Sequence, residues 1–348
     1  MSISNLNISN INKLITPNEL LYKYPLNDKV KEFVIKTRND ISNILYKKDK
    51  RFLMIVGPCS IHDIEQAKKY GDMLKVISDK VKDKIVIVMR VYFEKPRTTI
   101  GWKGLINDPD LNNTYNVNKG LELARELLLY LNSIGLPCGC EVLDTITPHY
   151  ISDLISWGAI GARTTESQVH RQLVSGLSMP VGFKNGTNGN IDICADAINS
   201  SKNKHCFMGI NDEGNACVIE TIGNFYTHII LRGGKEPNYR KNNVDIVKEM
   251  LERKNINPLI MIDCSHGNSE KDYRNQRWVL KNVMKQITEG EKSIIGVMIE
   301  SNINEGKQDL NYLGKNNLSY GVSITDSCIN IETTEEFILN TYDKLFKI

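Results

Sequence analysis

Two neighbouring stretches of the chain, residues 161–172 and 181–187, carry the residue types from which an anion site is built. Each begins as a short apolar segment and ends in glycine, a cation and hydroxyl residues, in GARTTESQVHRQ and VGFKNGT. If the segments are successive parallel strands, Arg163 and Lys184 leave them at one rim. Two fixed cations with hydroxyl groups and loop amides bind a phosphate or a carboxylate. The alternative is a pair of solvated basic loops, but the pattern recurs at other strand ends.

A second candidate anion site is the stretch KPRTTIGWKG, residues 95–104. Lys95 and Arg97 flank Pro96, which restricts the loop, and Thr98 adds a hydroxyl donor. A rigid loop with two cations predicts a phosphate site that is separate from the first. One further cation, Arg232 in the motif ILRGGK, could bind either anion.

Candidate metal ligands follow other apolar segments, in the motifs GPCSIHD, IDCSHGNS, MIESN and SITDSC. They offer thiolate, imidazole and carboxylate groups, a mixture that suits Mn, Fe, Co or Zn better than Ca or Mg. Taken singly, each residue is also compatible with a packed core thiol or a turn cap, and only the set favours a metal. The set is Cys59, His62, Asp63, Asp263, Cys264, His266, Glu300 and Asp326.

Eight apolar segments, separated by helical patterns, must position these motifs. They span residues 52–56, 85–91, 138–142, 159–162, 181–183, 206–210, 259–262 and 294–299. Near-continuous apolar runs are typical of strands buried on both faces, and their alternation with helices predicts an α/β fold, a parallel (β/α)8 TIM barrel. A doubly wound sheet is the alternative, but no GxGxxG follows a strand. The strand ends, which form the active site of such a barrel, carry Cys59, Arg90, Lys95, Glu141, Arg163, Lys184, Arg232, Asp263, His266, Glu300 and Asp326.

Two further parts accompany the predicted barrel. Residues 1–50 are polar and mainly helical, and we expect an N-terminal extension that docks on the barrel or on a neighbouring subunit. Residues 51–348 form the catalytic barrel. We expect a β-hairpin inserted at about 214–232, with strands at 216–222 and 227–231.

Composition narrows the range of partners. The chain has 348 residues with 44 basic and 41 acidic side chains, so no global field predicts binding to a nucleic acid or a membrane. Its start lacks the charged region and long apolar run of a signal peptide. Eight cysteines without such a signal predict reduced thiols in the cytoplasm. The pattern therefore indicates a cytoplasmic enzyme that joins or splits phosphorylated small molecules with a divalent metal.

In chain order, the motifs GPCSIHD, KPRTTIGWKGL, GARTTESQVHRQLVSGLSMPVGFKNGT, ILRGGK, DCSHGNS, IESN and GVSITD resemble those of one family. That family is the class I 3-deoxy-D-arabino-heptulosonate 7-phosphate (DAHP) synthases. The resemblance runs from about Thr16 to the C-terminus. It implies condensation of phosphoenolpyruvate with erythrose 4-phosphate and water, with release of phosphate, as the first step of the shikimate pathway.

The resemblance also implies roles for individual residues. A single divalent metal ion would be held by Cys59, His266, Glu300 and Asp326. Phosphoenolpyruvate would be held by Arg90, Lys95, Arg163, Lys184 and Arg232, with Glu141 nearby. Erythrose 4-phosphate would be held by Lys95, Pro96, Arg97 and Thr98. The residues expected to take part in catalysis are Cys59, Lys95, Glu141 and His266, with Lys95 as a proton donor to the new alkoxide.

Feedback regulation is a further implication, because related enzymes use an N-terminal extension and an inserted hairpin to build an inhibitor site and the oligomer. The resemblance places an aromatic amino acid near Asp144, Pro148, Leu177, Ser178 and Gly209. Phenylalanine-sensitive relatives tend to carry serine at position 209, and the glycine here leaves more room near the inhibitor ring. We therefore expect tyrosine before phenylalanine, and tryptophan third. The family suggests a homotetramer, with a dimer as the alternative.

A redox property follows from the implied ligand set. Cys328 lies two residues beyond Asp326, which brings it towards Cys59. We expect a disulfide between Cys59 and Cys328 when the metal-free protein is exposed to air.

Three other functions fit parts of the pattern. The related synthase that joins phosphoenolpyruvate to arabinose 5-phosphate shares the barrel, but it typically carries an Asn-Arg-Ser type loop in place of KPRTT. A catalytically silent barrel that binds an amino acid would not need metal ligands and both cation sets. A class II aldolase needs several histidine ligands, and only His266 is well placed.

Overall fold

The computed structural model describes residues 3–346, so the outer ends of the two predicted domains, at residues 1 and 348, lie outside the described residues. Its strands are β1 (Phe52–Gly57), β2 (Ile85–Arg90), β3 (Cys138–Glu141), β4 (Trp157–Ile160), β5 (Val181–Lys184), β6 (Cys206–Ile210), β7 (Ala216–Glu220), β8 (Thr227–Leu231), β9 (Ile260–Asp263) and β10 (Ile294–Glu300). Eight strands close into a parallel barrel in the order β1-β10-β9-β8-β5-β4-β3-β2. The predicted TIM barrel is confirmed.

Helices surround the barrel and precede it. They are α1 (Pro17–Lys23), α2 (Asp28–Leu45), α3 (Ile64–Val81), α4 (Val117–Ser133), α5 (Pro148–Ile151), α6 (Gln168–Gly176), α7 (Asp192–Ser201), α8 (Lys241–Arg253), α9 (Gln276–Thr288), α10 (Leu310–Leu313) and α11 (Ile331–Phe346). The two helices before β1 join the core, since α2 buries Val30, Val34 and Ile41. Among residues 3–346, no helix combines the length and apolar character that a bilayer crossing requires.

The hairpin lies earlier in the chain than the predicted range of about 214–232. It consists of β6 and β7, whereas β8 is the sixth barrel strand, between β5 and β9. The prediction was wrong because CFMGI of β6 is as apolar as a core strand, while THIIL of β8 begins with two polar residues. Those residues, Thr227 and His228, are buried, and His228 Nε2 accepts a hydrogen bond from Trp157 Nε1 at 3.0 Å. In contrast, β6 leaves Met208 exposed.

Side chains on the barrel strands alternate between the barrel interior and the surrounding helices, as strand geometry requires. On β1, Leu53 and Ile55 belong to the interior group, while Met54 and Val56 pack with residues of the helices. Because this alternation continues to the end of each strand, the last side chain of the strand that points inward lies at the carboxyl end of the barrel. At these last positions the side chains are ionisable instead of apolar.

Candidate active site

Five barrel strands end in an ionisable residue whose side chain is buried. These residues are Arg90, Glu141, Lys184, Asp263 and Glu300. Because the strands are parallel and close into a ring, all five lie at one rim. Burying five ionisable groups together is costly unless they pair with one another or with a ligand.

A cavity of about 570 Å³ opens at this rim. Sites for small molecules commonly have such a volume. The predicted site residues that line it are Lys95, Pro96, Arg97, Thr98, Glu141, Arg163, Lys184, Arg232, His266 and Asp326. The other three, Cys59, Arg90 and Glu300, are fully buried: Cys59 and Glu300 contact the lining residues Lys95 and His266, and Arg90 contacts Glu300. All predicted metal and substrate residues are therefore at one place.

The predicted metal ligands converge. Cys59, Glu300 and Asp326 each place a donor atom within 4.8 Å of the other two. Cys59 Sγ lies 3.5 Å from Asp326 Oδ2. The fourth predicted ligand, His266, places Nε2 3.7 Å from Glu300 Oε1. A thiol, an imidazole and two carboxylates that converge in this way fit a borderline divalent ion.

Lys95 connects the metal ligands to the cavity. Its Nζ donates to Cys59 Sγ at 3.1 Å. Burial, reinforced by the carboxylate of Glu300, raises the pKa of the Cys59 thiol to about 12. Burial acts to lower the pKa of Lys95, but Cys59 and Asp326 outweigh burial, and the pKa ends above its ordinary value. Lys95 is therefore a fixed cation and a hydrogen-bond donor at the cavity wall.

Asp263 contacts two of the predicted site residues, an arrangement that the sequence did not reveal. Its Oδ2 lies 2.9 Å from His266 Nδ1 and 3.0 Å from Lys184 Nζ. Burial raises the pKa of Asp263, but His266 and Lys184 outweigh burial and bring it well below its ordinary value. Asp263 thus faces a predicted metal ligand on the side of the ring away from Glu300. The contact is one of charge rather than a hydrogen bond, because His266 Nδ1 makes no hydrogen bond among residues 3–346. Its signal was present, since a strand-terminal aspartate precedes the histidine by three residues.

The cations at the barrel mouth, which is the cavity at the carboxyl ends of the strands, are only partly neutralised by other residues of the protein. Arg90 Nη2 donates to Glu300 Oε1 at 3.0 Å, and Arg163 Nη2 donates to Thr98 Oγ1 at 3.1 Å. Burial lowers the pKa of Arg232, and the charge of Arg163 lowers it further against the opposing effect of Asp263. Two guanidinium groups that repel each other across a cavity form a receptor for an anion.

In the loop of residues 95–104 the backbone passes close to the cation. A Cβ at Gly101 would lie 2.7 Å from Arg97 Nε, so a larger residue there would require the guanidinium to shift. Gly161 plays the same part for Glu141, because a Cβ there would overlap Glu141 Oε1. Glycine at these two positions leaves room for charged side chains at the cavity wall.

Several cavity residues escaped the sequence interpretation. They are Ser265, Ser269, Lys271, Tyr273, Lys307 and Ser327. Ser265 Oγ donates to Glu300 Oε2 at 2.8 Å, and its place directly after a strand end could have identified it. Of the other metal candidates, Asp63 accepts from Gln66 N at the start of α3, and Cys264 lies in the apolar core.

The predicted inhibitor residues lie away from this cavity, and the structure brings some of them together. Pro148 and Leu177 line a second, small cavity. Gly209 lies on β6, where a Cβ would be 3.8 Å from His149 Nε2. Asp144 and Ser178 are not among the residues lining the small cavity. The hairpin and the start of α5 are thus neighbours.

Both cysteines of the predicted disulfide are buried as free thiols. Cys328 Sγ lies 3.6 Å from Asp326 O. Asp326 N in turn lies 3.4 Å from Cys59 Sγ. The disulfide itself stays a prediction.

Comparison with known proteins gives a consistent result. The DAHP synthetase I family matches residues 30–338. The phenylalanine-sensitive phospho-2-dehydro-3-deoxyheptonate aldolase of Escherichia coli K12 is 51% identical over 96% of this chain and 95% of its own length. The tyrosine-inhibited enzyme of Candida albicans is 53% identical over 93% of this chain and 89% of its own length. The solved structure of phospho-2-dehydro-3-deoxyheptonate aldolase from Francisella tularensis SCHU S4 has a TM-score of 0.95 and 48% identity, and the match covers 98% of this chain and 99% of that one.

Proposed function

The chain belongs to the DAHP synthetase I family, and on that premise we propose that it is a 3-deoxy-7-phosphoheptulonate synthase. It condenses phosphoenolpyruvate with erythrose 4-phosphate and water to give DAHP and phosphate, the first step of the shikimate pathway. One observation carries this proposal. Cations for two anionic ligands and a convergent set of metal ligands meet at one cavity.

One divalent ion fits the donor set of Cys59, His266, Glu300 and Asp326, and we expect Mn, Fe, Co or Zn. When bound, the ion supplies Lewis-acid polarisation of the sugar aldehyde. Asp263 places a negative charge 2.9 Å from His266 Nδ1, on the side of the ring away from the other ligands. Ser265 holds Glu300 through a hydrogen bond from its hydroxyl.

Phosphoenolpyruvate fits the part of the cavity where Lys184, Arg163 and Arg232 supply cations. Erythrose 4-phosphate fits the loop of residues 95–104, where Arg97 and Thr98 line the wall. The two substrates repel each other as anions. Fixed cations hold them side by side and so provide the proximity on which a condensation depends.

Lys95 stands where these two subsites and the metal ligands meet. In the proposed reaction, C3 of phosphoenolpyruvate forms a bond to the aldehyde carbon, and the aldehyde oxygen takes a proton from Lys95. Water adds at C2 and gives up a proton to Glu141. The C2–O bond of the resulting phosphohemiketal then breaks, so that phosphate leaves and C2 becomes the carbonyl carbon of DAHP. Glu141, which is also predicted to be catalytic, packs against Gly161 in the cavity wall. Its carboxylate is available near C2.

Feedback inhibition is the regulatory part of the proposal. The relatives named above include a phenylalanine-sensitive and a tyrosine-inhibited enzyme at similar identity, so identity alone does not select the inhibitor. We propose tyrosine, because position 209 beside α5 is glycine. Phenylalanine and then tryptophan are the next candidates. The inhibitor would bind near Asp144, Pro148, Leu177, Ser178 and Gly209.

A homo-oligomer, either a tetramer or a dimer, is the proposed assembly. The hairpin exposes Met208 and Val218, which pair across β6 and β7, and the N-terminal arm exposes Ile3, Leu6 and Ile11. Exposed apolar groups on an arm and on a sheet face favour contact with another copy. Light scattering coupled to size exclusion will measure the mass, and a monomer at micromolar concentration would contradict this part.

The test of the reaction is phosphate release from phosphoenolpyruvate plus erythrose 4-phosphate. We expect activity that a chelator removes and that Mn restores. Added tyrosine should inhibit more strongly than phenylalanine or tryptophan. Turnover with arabinose 5-phosphate, but none with erythrose 4-phosphate, would show that the loop of residues 95–104 serves a different sugar.

A further inference from the structure

A tyrosine that none of the roles above uses lies in the barrel interior beneath the catalytic cavity. Tyr92 follows the last residue of β2, Arg90, by two positions and is 1% exposed. Its ring belongs to the interior apolar group, with Val88 and Trp157. Burial raises the pKa of Tyr92 well above its ordinary value, so the hydroxyl stays protonated and can donate a hydrogen bond.

The ring of Tyr92 is one of three contacts that fix the guanidinium of Arg90. The guanidinium carbon lies 4.0 Å from the ring centroid. On its other sides, Nη2 donates to Glu300 Oε1 at 3.0 Å, and Nε donates to Pro58 O at 3.4 Å. A cation on an aromatic face away from water is attracted by the ring. The ring therefore adds to the restraint that Glu300 and Pro58 place on this cation.

The hydroxyl of Tyr92 is part of a group of buried polar atoms that need a partner. Arg90 Nη1, Tyr92 Oη and Glu141 Oε1 have no hydrogen-bond partner among residues 3–346. The three residues come from β2, the chain just after it, and the neighbouring strand β3. The charge of Glu141 contributes to the raised pKa of Tyr92, so the two groups are close. Two donors and one acceptor at this point match the hydrogen-bonding capacity of one water molecule.

We propose that Tyr92 is a positioning residue of the phosphoenolpyruvate subsite: its ring holds Arg90 for the anion, and its hydroxyl with Glu141 holds a water molecule. This inference deepens the proposed function and rests on it. The reaction consumes water, and Glu141 lines the catalytic cavity. Once Arg90 Nη1 pairs with the anion, the water molecule accepts one hydrogen bond from Tyr92 Oη and donates one to Glu141, which leaves one oxygen lone pair free for the substrate.

Two variants separate the ring from the hydroxyl. Tyr92→Phe removes the hydroxyl and keeps the aromatic face, so we expect kcat to fall about tenfold with the phosphoenolpyruvate Kd unchanged within about twofold. Tyr92→Leu removes both, so we expect the same loss in kcat and a Kd about tenfold weaker or more. Phosphoenolpyruvate binding is measured by calorimetry without erythrose 4-phosphate, and kcat by phosphate release.

The matched control is Tyr70→Phe. Tyr70 is also fully buried, but its hydroxyl has a partner, Ser301 Oγ at 2.9 Å, outside the barrel interior. We expect this variant to lose thermal stability and to keep kcat and Kd within about twofold, because only a structural hydrogen bond is lost. Crystals of the phosphoenolpyruvate complex should show a water molecule at Tyr92 Oη and Glu141 in the original protein and none in Tyr92→Phe.

Each result bears on a different claim. An unchanged kcat in Tyr92→Phe would overturn the role of the hydroxyl, and an unchanged Kd in Tyr92→Leu would overturn the role of the ring. A crystal structure without water at Tyr92 would also overturn the role of the hydroxyl. If the original protein itself releases no phosphate from the two substrates, the proposed function fails, while calorimetry of the two variants still tests the ring.

Discussion

The barrel mouth and the hairpin region differ in what holds their side chains in place. In the mouth, buried ion pairs fix the geometry: Arg90 lies 3.0 Å from Glu300, and Lys184 lies 3.0 Å from Asp263. On the hairpin, Met208 is 90% exposed and has no such restraint. Buried ion pairs contribute little to stability, because desolvation offsets their attraction. The mouth is therefore organised for a charged ligand. For the hairpin we propose instead a surface that contacts another molecule.

The largest expected effect tests whether the mouth performs chemistry or only binds. Lys95→Met removes the proposed proton donor, and we expect kcat to fall about a thousandfold, within the range for a lost general acid. Phosphate release at saturating substrate measures this. The control is Lys103→Met, the same change at an exposed position of the same loop, which should leave kcat unchanged. If Lys95→Met weakened substrate binding and kept the wild-type kcat, Lys95 would be a binding residue only.

The second prediction concerns the support of the metal ligands. Asp263→Asn keeps the shape of the side chain but removes the charge that faces His266 and Lys184. We expect metal affinity to fall about 10- to 100-fold, as for other outer partners of a histidine ligand. Titration of Mn against a competing chelator measures the affinity without an activity assay. Asp245→Asn on α8 is the control at a surface ion pair. Unchanged affinity in Asp263→Asn would show that His266 needs no such partner.

The same contrast explains how much of the molecule could be predicted from its sequence. The mouth was predictable because strand periodicity places Arg90, Lys184 and Glu300 at one rim, whatever the loops do. The hairpin was predicted at the wrong position because burial of Thr227 and His228 depends on tertiary partners such as Trp157. The polarity of the local sequence does not reveal those partners.

The sequence also could not predict roles that depend on contacts between segments far apart in the chain. Asp263 follows the strand pattern, but its contact with both His266 and Lys184 appears only when β5 and β9 are in place. Tyr92 is a similar case. A tyrosine in an apolar strand extension is typical of core packing, and only the fold shows Arg90 on its ring.

The third prediction concerns Glu94, which lies between the two regions. It precedes Lys95, and its Oε1 accepts from Thr147 Oγ1 at 3.2 Å. Burial, with a smaller contribution from Asp144, raises the pKa of Glu94 to about 7 from an ordinary value of 4.5. The folded protein therefore keeps a proton that the unfolded chain releases between these pH values. The free energy of unfolding should fall as pH rises from about 4.5 to about 7 and then level off.

Glu94→Gln tests this directly, because glutamine keeps the size and the hydrogen bond but does not titrate. We expect the variant to lose roughly 2 kcal/mol of the pH dependence between about pH 5 and 7, measured by urea unfolding. Glu252→Gln, at an exposed position on α8, should leave the dependence unchanged. A pH profile of Glu94→Gln that matches the original protein would show that Glu94 ionises normally in the fold.

The smallest expected effect tests whether the hairpin selects the inhibitor. In Gly209→Ser the new side chain would press on Ile219 and approach His149, which reduces the space beside α5. We expect the preference for tyrosine over phenylalanine to fall about tenfold, or about 1.4 kcal/mol, with kcat and KM unchanged. Inhibition curves with both amino acids measure the ratio. Ala216→Ser adds the same hydroxyl on β7 at an exposed position and should leave the ratio unchanged. An equal ratio in Gly209→Ser would mean that this glycine serves the packing of Ile219 alone, and selection would then rest with the α5 side of the region.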